Sequence, residues 1–394
     1  MAELSAGWSR EEIALPAGVP MAGYIARRGR STGFLNPLYV RALVLQQGKI
    51  RVAIFLCDVL LISNRWGMRL RRRLGKALGI SPSRVFVAAT HTHSGPLVDA
   101  APFRFAAGPR PSTRIQSRIE AALELAAFRA VARLLPAHLE FARVSIAGVA
   151  SDRNHPSRHR KQSCFLLRFR APVATALLGV YGCHPTVLGF DNTRFSGDLH
   201  GEISRRLEKT VSVALIANGA AANISTRFSR TGQNPRELYR LAALACRQLT
   251  RARFHPMPQP RLGVRHVRVA LPRRDLRRVL PLPAAKPGRL GIVAREAVQI
   301  REQLARAPAL AKKSFVVGLD RLALDHVSFA VLPFELYADT SDFLWRNART
   351  IPLCYANGYW GYVPSAAARE DEYEAVSSLF DSRADMRLRR ALSW

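Results

Sequence analysis

Val85-Phe86-Val87-Ala88-Ala89-Thr90-His91-Thr92-His93-Ser94-Gly95-Pro96 is a short apolar run that ends in two histidines one residue apart and a small-residue turn. An apolar run of β-branched and aromatic residues, with no alternating polar position, predicts a buried strand. Side chains at i and i+2 of a strand point the same way, so His91 and His93 are expected to leave the strand end on one face. Imidazole is the commonest metal-binding side chain and the one most easily recruited for proton transfer near neutral pH. The stretch thus reads as a metal site with a proton carrier beside it, or as a polar strand terminus whose histidines satisfy backbone groups. Ligands elsewhere in the chain have to decide between these.

Working outward, residues 38–46 and 51–58 have strand composition and are separated by Gln47-Gly48-Lys49, which predicts a hairpin. Asp58, at the end of the second strand, is a candidate partner for a nearby ligand or a cap for the next helix. Helical periodicity covers residues 61–78, 112–135, 196–209, 235–252 and 290–305. Strand patterns recur at 139–149, 165–170, 173–181, 211–217, 315–319 and 326–332. Residues 102–111 form a Pro/Gly/Arg loop, and the Pro- and Arg-rich stretch 255–287, with one strand, is the best place for a linker or inserted loop. Strands and helices interleave without strict βαβ alternation. The expected fold class is therefore α+β, with mixed, largely antiparallel sheets flanked by helices, in one domain spanning residues 1–394.

Composition narrows the function classes. The hydrophobic fraction is 48% and the charged fraction 22%, as in a soluble globular protein and unlike a disordered one. Sixty Lys+Arg against 28 Asp+Glu give a formal charge of +32. Such a field suits an anionic membrane surface, nucleic acid or an acidic metabolite. The arginines are spread over the whole length, however, and the densest run, Arg69 to Arg73, falls on the polar side of a helix. A dedicated nucleic-acid partner is not expected; peripheral contact with an anionic membrane through a basic face is. Five widely separated cysteines without a CxxC pair suggest neither a thiolate zinc site nor a disulfide framework. The N-terminal residues contain no apolar signal-like segment and no run approaches a membrane span, so a cytoplasmic location is expected.

Further polar candidates sit at or just beyond apolar strands. His184 precedes Pro185 in VYGCHPTVLG, and Glu335 follows Pro333 in LPFELYADTS, where a buried carboxylate needs a cation or a donor. Tyr355, Tyr359 and Tyr362 lie in the turn-rich YANGYWGYVPS. Two imidazoles, a carboxylate and a phenolate make a plausible zinc shell. Each also has an ordinary structural reading, as a core histidine, a helix N-terminal charge or a core aromatic.

The ordered set AGWSREEIALPAGVPMAGYIARRGRSTG, PLYVRALVL, CDVLLIS, THTHSGP, NGAAANIST, PFELYADT and NGYWGYVPS resembles the neutral ceramidase family over nearly its whole length. These are the neutral/alkaline non-lysosomal amidases that cleave ceramide to sphingosine and a fatty acid. The resemblance implies zinc as cofactor, held by His91, His184, Glu335 and Tyr362, with His93 placed to move a proton. It implies that Arg153 approaches the scissile group, that Ser225 is the active-site serine, as nucleophile or hydrogen-bond donor, and that Tyr373 helps hold the reacting carbonyl. The implied function is zinc-dependent cleavage of ceramide or a related N-acyl lipid. Two departures matter: Ala222-Asn223 stands where the family typically has Gly-Asp, and Glu12-Ile13-Ala14-Leu15 where relatives have Asp-Ile-Thr-Pro. The chain also ends at Trp394 without room for the C-terminal immunoglobulin-like domain of larger ceramidases. The 222–223 departure motivates an alternative, a family member that keeps the fold and zinc and serves as a binding protein or acts on a different amide or ester.

Overall fold

In the computed structural model, which describes residues 2–99, 111–158, 161–274 and 314–393, the strand Val85–Ala89 forms one edge of a five-stranded sheet. Across that sheet follow Ile50–Cys57, Tyr39–Gln47, Leu4–Glu12 and Leu135–Pro136. The first pair is parallel and the rest antiparallel. The expected hairpin is present: Gln47 faces Ile50 across a Gly48-Lys49 turn, with Gly48 at φ 55°. Val85, Val87 and Ala89 enter one hydrophobic cluster, Phe86 and Ala88 the other. With both faces covered, every position of this strand is apolar.

The helices Asn64–Leu78 and Thr113–Val131 cover the outer face of this sheet through Leu70, Leu74, Ile119 and Leu123. Behind the inner face lies a second five-stranded sheet, in the order Val213–Asn218, Thr175–Tyr181, Lys161–Arg170, His138–Ala147 and His255–Met257. Leu178, Val180, Phe165 and Leu215 of that sheet pack into the same layer as Phe86 and Ile54. Its outer face is covered by the helices Asp198–Leu207 and Pro235–Leu249. A four-stranded sheet, Leu262–Pro272, Ser314–Leu324, Val327–Val331 and Thr350–Leu353, closes the central layer with Leu322, Phe329 and Ile351. The fold is thus α+β, with mixed, largely antiparallel sheets flanked by helices.

Three local expectations change. The stretch 255–287, expected to hold one strand, holds two among its described residues, His255–Met257 and Leu262–Pro272, the latter paired along its length with Ser314–Leu324. Residues 275–287, the helix expected at 290–305 and residues 102–110 of the expected loop lie outside the described residues. Asp58 neither caps the next helix, which Ser63 caps, nor touches an imidazole. Its carboxylate accepts from Tyr39 N at 2.9 Å and from the buried Arg41 Nη1 at 3.3 Å, and Arg41 also holds Glu208 through Nε at 2.8 Å. The Arg69–Arg73 run is largely spent on structure: Arg69 and Arg73 bind Glu120 of the neighbouring helix, and Arg71 binds Asp320. Among the described residues no helix is long and apolar enough to cross a membrane.

Helix Pro235–Leu249 carries a measurable electrostatic contribution. Asn234 caps Glu237 N at 3.0 Å, and the Glu237 carboxylate accepts from Thr231 N and, bidentately, from Arg240. The Arg240 hydrogen bonds are the main reason its pKa falls to about 2. A depressed folded pKa contributes stability that is present above the unfolded value, near 4.5, and is lost as pH falls toward 2. Glu237→Gln is expected to cost about 1–2 kcal/mol at pH 7. Urea titrations should show that gap narrowing between pH 4.5 and pH 3; a constant gap would locate the effect in shape and not charge.

Candidate active site

The ends of the three sheets are sewn together at one point. Beyond Val85–Ala89, Ala89 N donates to Tyr355 O and Asn357 N to Val87 O; Cys354 N donates to Asn218 O and Leu332 N to Leu353 O. Loops that follow Val85–Ala89, Thr175–Tyr181, Val327–Val331 and Thr350–Leu353 are therefore forced into one space, and each carries polar candidates. A short parallel ladder sets Glu335 beside Tyr362, and a backbone bridge sets His184 beside Ser225.

His91 and His93 do not emerge as two side chains of one strand. The strand stops at Ala89, and His91 takes φ 65°, in the left-handed region that a side chain with a Cβ rarely adopts. His91 N on Val59 O at 3.1 Å, and a stack of its ring on Tyr355 with centroids 4.2 Å apart, hold that conformation. The cost is of order 1–3 kcal/mol, a kind of strain that clusters at functional sites. Its effect is to bring the His91 and His93 rings edge to face, 5.0 Å apart, instead of side by side. Gly23, at φ 105°, lies so close to His93 that a Cβ there would meet its Cα at 2.6 Å.

Three imidazoles and a carboxylate converge. Ligand nitrogens of His91, His93 and His184 lie within 4.8 Å of one another, with His93 Nε2 3.4 Å from His91 Nε2. Glu335 Oε2 is 3.1 Å from His184 Nε2 and 3.7 Å from His91 Nε2. Two backbone carbonyls assign the tautomers: His91 Nδ1–H donates to Leu60 O at 2.8 Å and His184 Nδ1–H to Ala221 O at 2.7 Å. Both Nε2 atoms then present bare lone pairs. Burial lowers the His91 pKa to about 4, against the pull of Glu335, and holds that of His93 well below its usual value, so both rings are neutral at pH 7. Burial pushes the Glu335 carboxyl up, but the His91 and His184 rings and the Tyr359 hydroxyl bring it below its usual range. Its two oxygens accept from Tyr359 OH and, at 3.1 Å, from Tyr355 OH.

That geometry fits a divalent metal ion. The Nε2 atoms of His91 and His184, whose Nδ1–H groups are committed to backbone carbonyls, face a carboxylate oxygen across 3–4 Å, and the buried His184 Nε2 has no hydrogen-bond donor. Such a set of acceptors is mutually repulsive until a cation sits among them. Nitrogen and carboxylate donors, with their far sides fixed by backbone carbonyls and tyrosine hydroxyls, suit zinc.

On the other side of Tyr362 the structure gathers the remaining candidates. Arg153 Nη2 donates to Tyr362 OH at 3.4 Å and its Nε to Glu374. Its guanidinium carbon lies 5.6 Å from the Tyr373 ring centre, and Tyr373 meets Tyr362 edge to face at 5.9 Å. Ser225 is buried, and its Oγ accepts from Arg227 N at 3.2 Å. Glu374 also accepts from Asn154 Nδ2 at 2.9 Å, and Glu372 accepts from Tyr337 OH at 2.9 Å and lies 3.3 Å from His155 Nε2.

The departure at 222–223 is structurally accommodated. Asn223 Nδ2 donates to the buried Asp152 Oδ2 at 2.8 Å, and its Oδ1 accepts from Ala338 N at 2.9 Å. Asn223 O takes Arg153 N at 2.7 Å, while Asp152 Oδ1 accepts from the next two backbone N–H groups, of Asn154 and His155. Ala222 needs no left-handed backbone, and its methyl packs on Tyr337 and Tyr362.

All eight residues singled out from the sequence thus lie in one neighbourhood, in two subclusters: His91, His93, His184 and Glu335 on one side, Arg153, Tyr362 and Tyr373 on the other, with Ser225 bridged to His184. Sequence reading passed over Glu374, Glu372 and the Asp152–Asn223 pair. One signal was available for the first two: Glu370-Asp371-Glu372-Tyr373-Glu374 is an acidic run in a strongly basic chain.

Residues 6–232 match the family described as neutral/alkaline non-lysosomal ceramidase, N-terminal. That span is more than half of the chain and holds His91, His93, Arg153, His184 and Ser225. Among curated proteins, none matches it in sequence. Solved structures extend the likeness to the remainder. A ceramidase complexed with C2 superposes with a TM-score of 0.78 at 18% identity, and neutral ceramidase from Pseudomonas aeruginosa with 0.75 at 17%. In both cases the match covers 100% of this chain and 74% of the other.

Proposed function

The chain belongs to the neutral/alkaline non-lysosomal ceramidase family, and from that premise we propose that it is a zinc-dependent hydrolase cleaving the amide bond of an N-acyl lipid. The observation that carries this reading is the convergence of the His91, His93 and His184 nitrogens with Glu335 Oε2, the Nδ1–H groups of His91 and His184 being committed to backbone carbonyls. His91, His184 and Glu335 hold the metal in this reading, with Tyr362 beside Glu335 on the paired strand. When bound there, zinc supplies Lewis acidity toward carbonyl and water oxygens.

The chain's own groups supply the rest. His93 is the one imidazole of the three that is not fully buried, and it carries the proton to the departing amine. Arg153 is half-buried, and although desolvation alone would lower its pKa, Glu374 keeps it charged. With Nε on Glu374 and Nη2 on Tyr362, it turns its remaining donors, with the Tyr373 hydroxyl, to the developing oxyanion. Ser225 acts as a hydrogen-bond donor to the substrate: its Oγ accepts from Arg227 N, and no imidazole lies against it as a base among the described residues. The Asp152–Asn223 bond keeps the Arg153 segment in place, which favours a working site over a fold retained without catalysis.

A chain loaded with zinc should release labelled fatty acid from ceramide or a shorter N-acyl amine, and lose at least about 100-fold of that rate in a chelator, with recovery on adding zinc back. No chelator-sensitive release from any N-acyl amine would refute the proposal.

A further inference from the structure

Arg227 stands two residues beyond Ser225, half-buried, with its backbone N–H on the serine oxygen. Its guanidinium has no carboxylate partner among the described residues, and its carbon lies 5.8 Å from the centre of the Phe228 ring. Phe228 itself is 51% exposed, so the pair stands at the rim of the site. Burial lowers the Arg227 pKa first, and the positive charge of Arg153 lowers it further, with Glu374 acting the other way. Glu374 is committed to Arg153 through its Nε. Arg153 thus holds the one nearby carboxylate, and the Arg227 guanidinium is half-buried with no ion pair among the described residues. A cation in that position costs free energy until an anion meets it.

We propose that Arg227 receives an oxyanion on the substrate, so that the amide cleaved here is an anionic N-acyl amine and not a neutral ceramide. An unsubstituted fatty-acyl chain bears no charge, so the oxyanion belongs to the amine half, as the carboxylate of an N-acyl amino acid or the phosphate of an N-acylated phosphoamine. Phe228 gives the same rim an apolar surface for the chain that carries it. This inference rests on the hydrolase reading above for its chemistry, but recognition of the anion is measurable without turnover.

Two measurements test it on the full chain. With zinc bound, kcat/KM for N-dodecanoylglycine should exceed that for N-dodecanoylethanolamine, which matches it in length and lacks the charge, by roughly 30- to 1000-fold. N-dodecanoyl-phosphoethanolamine in parallel separates phosphate from carboxylate. Arg227→Gln should bring the charged-to-neutral ratio to within about threefold of unity, and Arg227→Lys should restore about tenfold of it. With the metal removed by chelator, so that nothing is hydrolysed, calorimetry should show the anionic amides binding at least about tenfold tighter than the neutral one, and Arg227→Gln should abolish that difference. A wild-type ratio near one, a ratio that survives in Arg227→Gln, or equal or absent binding of the three amides to the metal-free chain overturns the inference. Tighter binding of the anions without chelator-sensitive turnover of any amide upholds the inference and refutes the hydrolase reading instead.

Discussion

His184→Ala is expected to drop bound zinc from about one per chain to less than about 0.1 after dialysis, and to lower amide hydrolysis by roughly 1000-fold or more. Both effects follow from one ring. His184 is 1% exposed and fixed by Ala221 O on one nitrogen, so its other nitrogen has a single direction in which to point, toward Glu335 Oε2 at 3.1 Å. Truncation removes one of the three nitrogens that converge on the site and leaves a void in a fully buried position. Glu335→Gln separates charge from shape. The amide keeps the carboxylate's outline and its single oxygen still accepts from one of the Tyr355 and Tyr359 hydroxyls, while the other turns its lone pair to the new NH2 group, but the site loses its one negative charge. Zinc should fall as it does in His184→Ala, while circular dichroism and thermal melting stay close to wild type. Metal analysis by atomic absorption on both variants decides the matter, and stoichiometric zinc in both would dismantle the site assignment.

Much of this arrangement was legible in the chain because it depends on local pattern. The apolar run 85–89 forms a strand buried on both faces, and the helical period placed four helices within a few residues of their observed limits. The dispersed site residues were found through an ordered set of segments and not through spacing, since His91 and Glu335 are brought together only by the docking of three sheets. What stayed hidden has the same physical origin. The left-handed turn at His91 is imposed by Val59, Leu60 and Tyr355, and nothing in THTH announces it. Arg153 finds Glu374 across 221 positions. Asp58 was plausible as a neighbour of the metal strand, but Arg41, a buried arginine near the start of the facing strand, outcompetes any helix cap or imidazole for its charge. Local rules cannot rank partners that meet only after the sheets have packed.

Asn223→Asp shows the same dependence on packing, because the aspartate that the family resemblance leads one to expect at this position would be harmful in this chain. Asn223 gives its amide hydrogens to Asp152 Oδ2 at 2.8 Å, and both side chains are buried. An aspartate there sets acceptor against acceptor, and the pair can coexist only by sharing a proton. The folded chain would then hold that proton to a higher pH than the unfolded chain, whose aspartates titrate near 3.9. Between that pH and the raised folded value the native state binds more protons, so its stability relative to wild type falls as pH rises, and then stays low. A pKa raised by about 3 units corresponds to about 4 kcal/mol at pH 8, shrinking to little at pH 4. Asn223→Ala, which leaves Asp152 and Ala338 N short of a partner without adding charge, should cost about 1–3 kcal/mol with no such pH dependence. The swap Asp152→Asn with Asn223→Asp restores every bond with the roles exchanged. The amide oxygen introduced at position 152 still accepts from the Asn154 and His155 N–H groups, and the carboxylate introduced at position 223 still accepts from Ala338 N. The double variant should recover most of the stability and, with it, the position of Arg153. Zinc content should be unaffected in all three, because neither residue touches the metal cluster. Denaturant titrations at pH 4, 6 and 8 are sufficient: if Asn223→Asp is as stable as wild type at pH 8, or the double variant is no better than the single one, Asp152 and Asn223 do not form the complementary pair on which the Arg153 segment depends.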